Sequence, residues 1–258
     1  MVSITLEDVG VTLGRRAVVR DVCAALEPGS LTAIVGPNGA GKSTLARAML
    51  ALVPATGRIL VDGADAAAIP RADLARRIAY LPQGQLLHWP LTVERLVGLG
   101  RLPHLAPMSR ISAADTAAIE RAMIRADVFD LRDRIATELS GGERARVLFA
   151  RALAVEAPAL IADEPLASLD PGHQIDVMEL LRAEAASGAL VVAVLHDLTL
   201  AARYCDRLLL IDEGQIVADG APAAVLTPAR LRRVYGIDAR VETGGAWPTI
   251  TTLGRSGR

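Results

Sequence analysis

Gly36-Pro37-Asn38-Gly39-Ala40-Gly41-Lys42-Ser43-Thr44 follows an apolar run, residues 31–35, and opens a helix-like stretch, residues 42–52. Its glycines let the backbone curl so that successive N–H groups face one anion, and the following helix adds the positive end of its dipole. The stretch reads as a phosphate cradle. In it Lys42 would reach the terminal phosphates, and Ser43 would offer its hydroxyl to Mg²⁺, whose other positions go to water and phosphate oxygens. An ordinary glycine turn shares part of the pattern, but a strand before and a helix after are the context a nucleotide site requires.

Working outward, residues 3–6 and 18–26 carry strand patterns, with Gly14-Arg15-Arg16 as a hairpin turn and Pro28-Gly29 as a second break. Residues 57–61, ending in the turn Asp62-Gly63, and residues 78–81, closed by Pro82-Gln83-Gly84, read as further strands. From residue 85 to 154 helical spacing takes over, with candidates at 93–99, 113–126 and 143–154. Pro103 and Pro107 break the first two apart, in what reads as a surface loop. After Pro158, strands at 159–162, 190–195 and 207–211 alternate with helices at 172–186 and 198–202, the rhythm of a mostly parallel sheet. Gly214 and Gly220 bracket a last hairpin strand. The tail offers a helix at 228–235, weak strands at 239–242 and 249–253, and a frayed end at 254–258. The expected fold is therefore α/β: a single domain, 1–258, with a phosphate-loop core of mostly parallel sheet and an antiparallel β lead-in. Residues 1–84 and 155–258 form that core, and residues 85–154 an inserted helical subdomain.

With 28 basic against 29 acidic residues, no overall charge draws the chain to nucleic acid or to an anionic bilayer. Its 52% hydrophobic content over 258 residues is ample for one large core. The longest apolar segment, residues 189–195, is too short to span a bilayer and suits a buried parallel strand. Glu7 and Asp8 stand where a secretory leader needs an uncharged stretch, so the chain is expected not to be exported and any membrane role to be peripheral. Cys23 and Cys205 offer neither a disulfide framework nor a metal spacing, and both read as small buried residues in a reducing compartment.

Further residues carry chemistry. The apolar run 159–162 ends in Asp163 and Glu164, ahead of Pro165, at the sheet edge where the cradle also opens. Asp163 would bind Mg²⁺ or support it from one shell behind, and Glu164 would polarise the water that attacks a γ-phosphate. A helix cap ahead of Pro165 is the purely structural alternative. Ser140, Gly141 and Gly142 begin the helix at 143–154 and form a second anion site, although with Glu143 in the first turn they also make a serine cap, which stabilises a helix by about 1 kcal/mol without any ligand.

Taken together, the cradle at 36–44, Leu139-Ser140-Gly141-Gly142-Glu143, and the strand ending in Asp163-Glu164 resemble the Walker A, signature and Walker B motifs of the ATP-binding cassette ATPases. The match extends over nearly the whole chain. Gln83 stands at the family's Q-loop position, Ser168-Leu169-Asp170 at its D-loop, and His196 at its switch histidine. The resemblance implies ATP with Mg²⁺, and a head-to-tail homodimer in which ATP lies between one cradle and the other copy's Ser140, Gly141 and Gly142, with Glu143 and Asp170 beside them. Ser43, Gln83 and Asp163 would surround the metal. His196 would contact the γ-phosphate, and Gln83 would link metal and water to the helical subdomain. One departure is Leu13, which stands where the family places an aromatic ring to stack on adenine; Arg15 or Arg16 is the substitute, and weak purine selectivity is expected. A second, Leu166 where the family often has Thr, lies outside the phosphate contacts.

Thr92-Val93 followed by Gly100-Arg101-Leu102-Pro103-His104, and Leu226-Thr227-Pro228 followed by Tyr235-Gly236, resemble the iron-siderophore, haem and cobalamin importer branch. That implies an ATPase subunit for uptake of a metal chelate. Its homodimer would sit at the cytoplasmic face of the cell membrane on two copies of a multi-span permease, with a substrate-binding protein beyond and no nucleic acid partner. The insertion would dock, and Trp89, between His88 and Pro90, is the candidate anchor. A soluble cassette ATPase for cofactor assembly or remodelling is the alternative, and the cargo is not written in the ATPase.

Overall fold

A computed structural model of the chain describes residues 2–84, 87, 89–106 and 108–256. Strand β1 (Ile4–Leu13) turns at Gly14 and Arg15 into β2 (Arg16–Leu26), so the lead-in is an antiparallel ribbon. β1 is longer than the expected 3–6, because pairing shifts register after Leu6 and again after Val9, and Asp8, at φ 50°, breaks the alternation that marks a strand. β3 (Leu31–Val35) begins a second sheet and leads through the cradle into α1 (Lys42–Met49). β4 (Thr56–Val61) returns to β1, and β5 (Ala64–Asp65) completes the order β2-β1-β4-β5. Helix α2 (Arg71–Arg77) was not expected: it is too short to show a period and buries only Leu74.

The second sheet runs β10-β9-β3-β8-β7-β6, built from β6 (Ile78–Leu81), β7 (Ala159–Asp163), β8 (Leu190–Val194), β9 (Arg207–Asp212) and β10 (Gln215–Gly220). All its pairs are parallel except β9 with β10. Every residue of β3, β7 and β8 is buried, as strands covered on both faces must be. Alternation splits them between two cores. Ile34, Ile161 and Val192 pack with α1 and the ribbon, while Ala33, Leu160 and Val191 pack with the helices of the other face.

Those helices are α3 (Val93–Gly98), α4 (Ala113–Arg125) and α5 (Gly141–Leu153), packed on one another between β6 and β7. Pro103 lies within a 3₁₀ turn, Leu99–His104, and not in an exposed loop, while Pro107 lies outside the described residues. The turn is pinned because Arg101 is buried, donating to Asp115 at 2.9 Å and to the Ala154 carbonyl at 2.8 Å. Beyond β7 come α6 (Pro171–Ala186), α7 (Leu198–Tyr204), α8 (Pro222–Val225) and α9 (Pro228–Tyr235), then a hairpin of β11 (Ile237–Glu242) and β12 (Thr249–Arg255). Gly254 and Arg255 are paired in that hairpin and not frayed; Gly257 and Arg258 lie outside the described residues. Cys205 is buried as expected. Cys23 is exposed, since its Sγ faces outward to donate to Asp8 Oδ1 at 3.2 Å, beside the irregularity in β1.

Candidate functional site

The cradle, the Asp163-Glu164 pair, Gln83 and His196 follow the carboxyl ends of β3, β7, β6 and β8, so the parallel sheet gathers them at one edge. Close packing dictates two of the glycines. A Cβ on Gly36 would lie 2.1 Å from the Ile211 carbonyl oxygen, and one on Gly41, at φ 103°, would lie 2.7 Å from that of Val18. Lys42 is buried and closes the loop on itself, donating to the carbonyls of Gly36 at 2.8 Å and Pro37 at 2.9 Å. An ammonium has three donors, so one is left for a ligand. Burial pulls the Lys42 pKa down, and the charges of Glu164 and Asp163 oppose that shift.

A cleft of about 360 Å³ is lined by Asn38, Gly39, Lys42, Ser43, Glu164 and His196, with Val18, Gly41, Thr44 and Gln83 completing it. Gln83 Nε2 donates to one oxygen of Glu164, and His196 Nε2 lies 2.6 Å from the other. Glu164 itself sits at φ 51°, a conformation costing about 1–3 kcal/mol in an ordinary residue, and its N–H is tied to the Val194 carbonyl at 3.2 Å. No helix starts there; the capping alternative falls to Asp170, which caps α6. Beneath the cleft, Asp163 is fully buried. Its Oδ2 accepts from Tyr80 at 3.2 Å and lies 3.8 Å from Arg47, while Oδ1 has no partner among the described residues. Tyr80 and Arg47 were not foreseen, because neither belongs to a motif; the one signal available was an aromatic with a polar tip in the strand before Gln83.

Gly36, Pro37 and Ala40 shape the loop through their backbones: Ala40 N–H donates to Pro37, and the Ala40 carbonyl accepts from Gly214. The structure does not bring Ser140, Gly141, Gly142, Glu143 or Asp170 into the cleft. Ser140 caps α5 in a full capping box, its hydroxyl accepting from Glu143 N–H at 3.3 Å and its own N–H donating to Glu143 at 2.8 Å. The Ser140 N–H first, and then the Ser140 hydroxyl, hold the Glu143 carboxyl below its usual pKa, with Arg134 at 2.7 Å assisting. Ser140 and Gly141 remain exposed, and Gly141 faces Glu164 and Ser168 across a second groove of about 250 Å³. Among the described residues, no group of three or more His, Cys, Asp or Glu forms a ready metal cage. A Mg²⁺ shared with phosphate oxygens needs no such cage, and the orphaned Asp163 oxygen with the Ser43 hydroxyl fits one.

The family model described as ABC transporter matches residues 19–167, more than half of the chain. The cobalamin import ATP-binding protein BtuD of Halobacterium salinarum is 48% identical over 91% of this chain, which spans only 58% of that protein's length. The hemin import ATP-binding protein HmuV of Pseudomonas entomophila is 44% identical over 89% of this chain and 91% of its own. Among solved structures, the ADP form of an ATP-binding cassette of an ABC transporter, MJ1267, superposes with a TM-score of 0.82 at 25% identity, over 91% of this chain and 98% of that one.

Proposed function

We propose, since the chain belongs to the ABC transporter family, that it is the ATP-hydrolysing subunit of an importer for a metal chelate, with iron-siderophore, haem and cobalamin as the candidate class. The observation that carries the chemistry is the convergence of Gln83 and His196 on the Glu164 carboxylate at the mouth of the cleft that holds Lys42 and Ser43. A carboxylate oriented by two donors is placed to hold the attacking water in line with a γ-phosphate, while Lys42 and the loop N–H groups take the phosphate charge. Mg²⁺, when bound, would compensate the charge of the phosphates, with Ser43 and Asp163 as the residues that would hold it and Gln83 beside them. His196 senses the γ-phosphate through the same carboxylate.

One cleft holds only half of the expected residues, and Ser140, Gly141 and Gly142, with Glu143 and Asp170, are assigned to the partner in a two-fold homodimer. No helix among the described residues is long and apolar enough to cross a membrane. The path for the cargo is accordingly assigned to two copies of a separate permease, fed by a substrate-binding protein, and this chain to the cytoplasmic face beneath them. Residues 85–154 form the docking arm. Trp89 and Leu102 are exposed, and Leu102 adjoins Pro103, which lines an apolar groove of about 330 Å³ with Leu52, Leu74 and Tyr80, a fit for a cytoplasmic segment of that permease. Vesicles carrying the assembled complex test the reading: ATP-dependent uptake of one of these chelates is expected, and recovery of the chain only with soluble partners would overturn it.

A further inference from the structure

His173 belongs to none of the motifs, yet its ring links two of them. Asp170 caps α6 with Oδ1, which accepts from the N–H groups of Gly172 at 3.0 Å and His173 at 3.2 Å. Its Oδ2 pairs with Nδ1 of the His173 ring. Held this way, the ring packs closely against Gly142: a Cβ built on that glycine would stand 1.9 Å from His173 Cδ2 and 2.1 Å from Nε2. One turn further along, Arg146 of α5 and Asp176 of α6 face each other at 3.5 Å, so the two helices are joined at successive levels. The space at Gly142 is thus taken by a side chain from another helix, and its backbone angles, which are not in the left-handed region, do not themselves require glycine.

We propose that His173 is a positioning residue that locks the Asp170 loop to the Ser140–Gly142 turn, so that both reach a second copy of the chain as one rigid piece. This rests on the composite, two-copy site proposed above. A peptide turn displaced by about 1 Å loses much of the value of its N–H groups to a phosphate, and one hydrogen-bonded strut is enough to hold or release such a turn. His173 is not among the residues that line the cleft with the cradle of the same copy, so nucleotide binding to the single chain is expected to be independent of it.

The test uses the full chain in a Glu164→Gln background, with and without His173→Ala or His173→Asn. Asn is chosen because its side-chain amide can reach the Asp170 carboxylate where Nδ1 does. Binding of a fluorescent ATP analogue to the monomer should stay within twofold in all forms. ATP-driven dimerisation, read by light scattering, should weaken about tenfold in His173→Ala and recover in His173→Asn. With Glu164 restored, kcat should fall by a similar factor in His173→Ala while the KM for ATP changes little. A His173→Ala protein that dimerises and turns over as the parent does overturns the role of His173, as does equal loss in Ala and Asn variants of unchanged melting temperature. Failure of the Glu164→Gln parent itself to dimerise with ATP would instead remove the composite site, and this role with it.

Discussion

A carboxylate that accepts from Gln83 and lies against His196 has both oxygens engaged, so the direction in which Glu164 offers its remaining lone pairs is set by residues from the ends of two other strands. If Glu164 orients the attacking water, Glu164→Gln keeps the cradle intact and loses the base. Nucleotide binding should persist while hydrolysis falls about 10²–10⁴-fold, and phosphate release beside a nucleotide titration would check both. Adding His196→Ala to that variant should cost little more, since residues that act on one group are not additive. Wild-type turnover in Glu164→Gln would remove the residue from the mechanism. The base end of the nucleotide is differently furnished: Leu13 is exposed at the ribbon turn, beside exposed Arg15 and Arg16, and Val18 is the ribbon residue that reaches the cleft. A ring stacked on a base contributes about 1–3 kcal/mol, and none is offered at this turn. We expect ATP and GTP to be hydrolysed with less than about tenfold discrimination, and Leu13→Tyr to tighten binding of both nucleotides. A strong preference for ATP that survives substitution of Leu13, Arg15 and Arg16 would contradict this.

Elements differ in how far their causes lie from them along the chain. α4 announces itself in Ser112-Ala113-Ala114-Asp115, where the Ser112 hydroxyl accepts from Asp115 N–H and Asp115 accepts from Ser112 N–H at 3.0 Å. The start of this helix was legible because both partners are three residues apart. The partner that makes Asp115 matter more was not: Arg101, from the 3₁₀ turn that reads as loop, donates to it from a buried position. The same distance rule explains the site. The cradle, the Ser140 turn and the Asp163-Glu164 strand end are local signals, whereas Tyr80 meets Asp163 across 83 residues and only the β6–β7 pairing brings them together. Asp115 also yields a prediction. The Ser112 hydroxyl and N–H, followed by Arg101, hold its carboxyl down to about 2, from an ordinary value of 3.8. Its folded pKa lies below its unfolded one, so its contribution to stability is present above about pH 4 and is lost as pH falls toward about 2. The urea midpoint of Asp115→Asn should lie below that of the parent at neutral pH, and the gap should close across that acid window. A gap that persists unchanged to about pH 2 would refute the assignment.

At the scale of the whole molecule, the two cores and the sheet edge leave one surface for a ligand and, on the proposed reading, another for a partner. The sheet is buried on both faces, so chemistry is confined to the ends of its strands, and the helices of residues 93–153 carry apolar side chains outward that neither core takes up. Trp89 is 75% exposed and Leu102 is 59% exposed, values that suit residues awaiting a contact better than residues finished with packing. The capping Thr92 and the bridge from Thr92 to Ile135 fix the backbone next to Trp89, so its ring is presented from a braced position. If this arm docks on a permease, Trp89→Ala and Leu102→Asp should leave ATP hydrolysis by the isolated chain within about twofold, because neither side chain lines the cleft. Recovery of the multi-span permease with the tagged chain, extracted from membranes in mild detergent, should fall at least tenfold with Leu102→Asp, the scale expected for burying a charge at the centre of an apolar contact. Leu253→Asp supplies the control, since Leu253 is equally prominent at 64% exposed but lies on β12 in the carboxyl-terminal hairpin. Loss of the permease in that control and not in the Trp89 and Leu102 variants would move the docking surface from the helical arm to the tail.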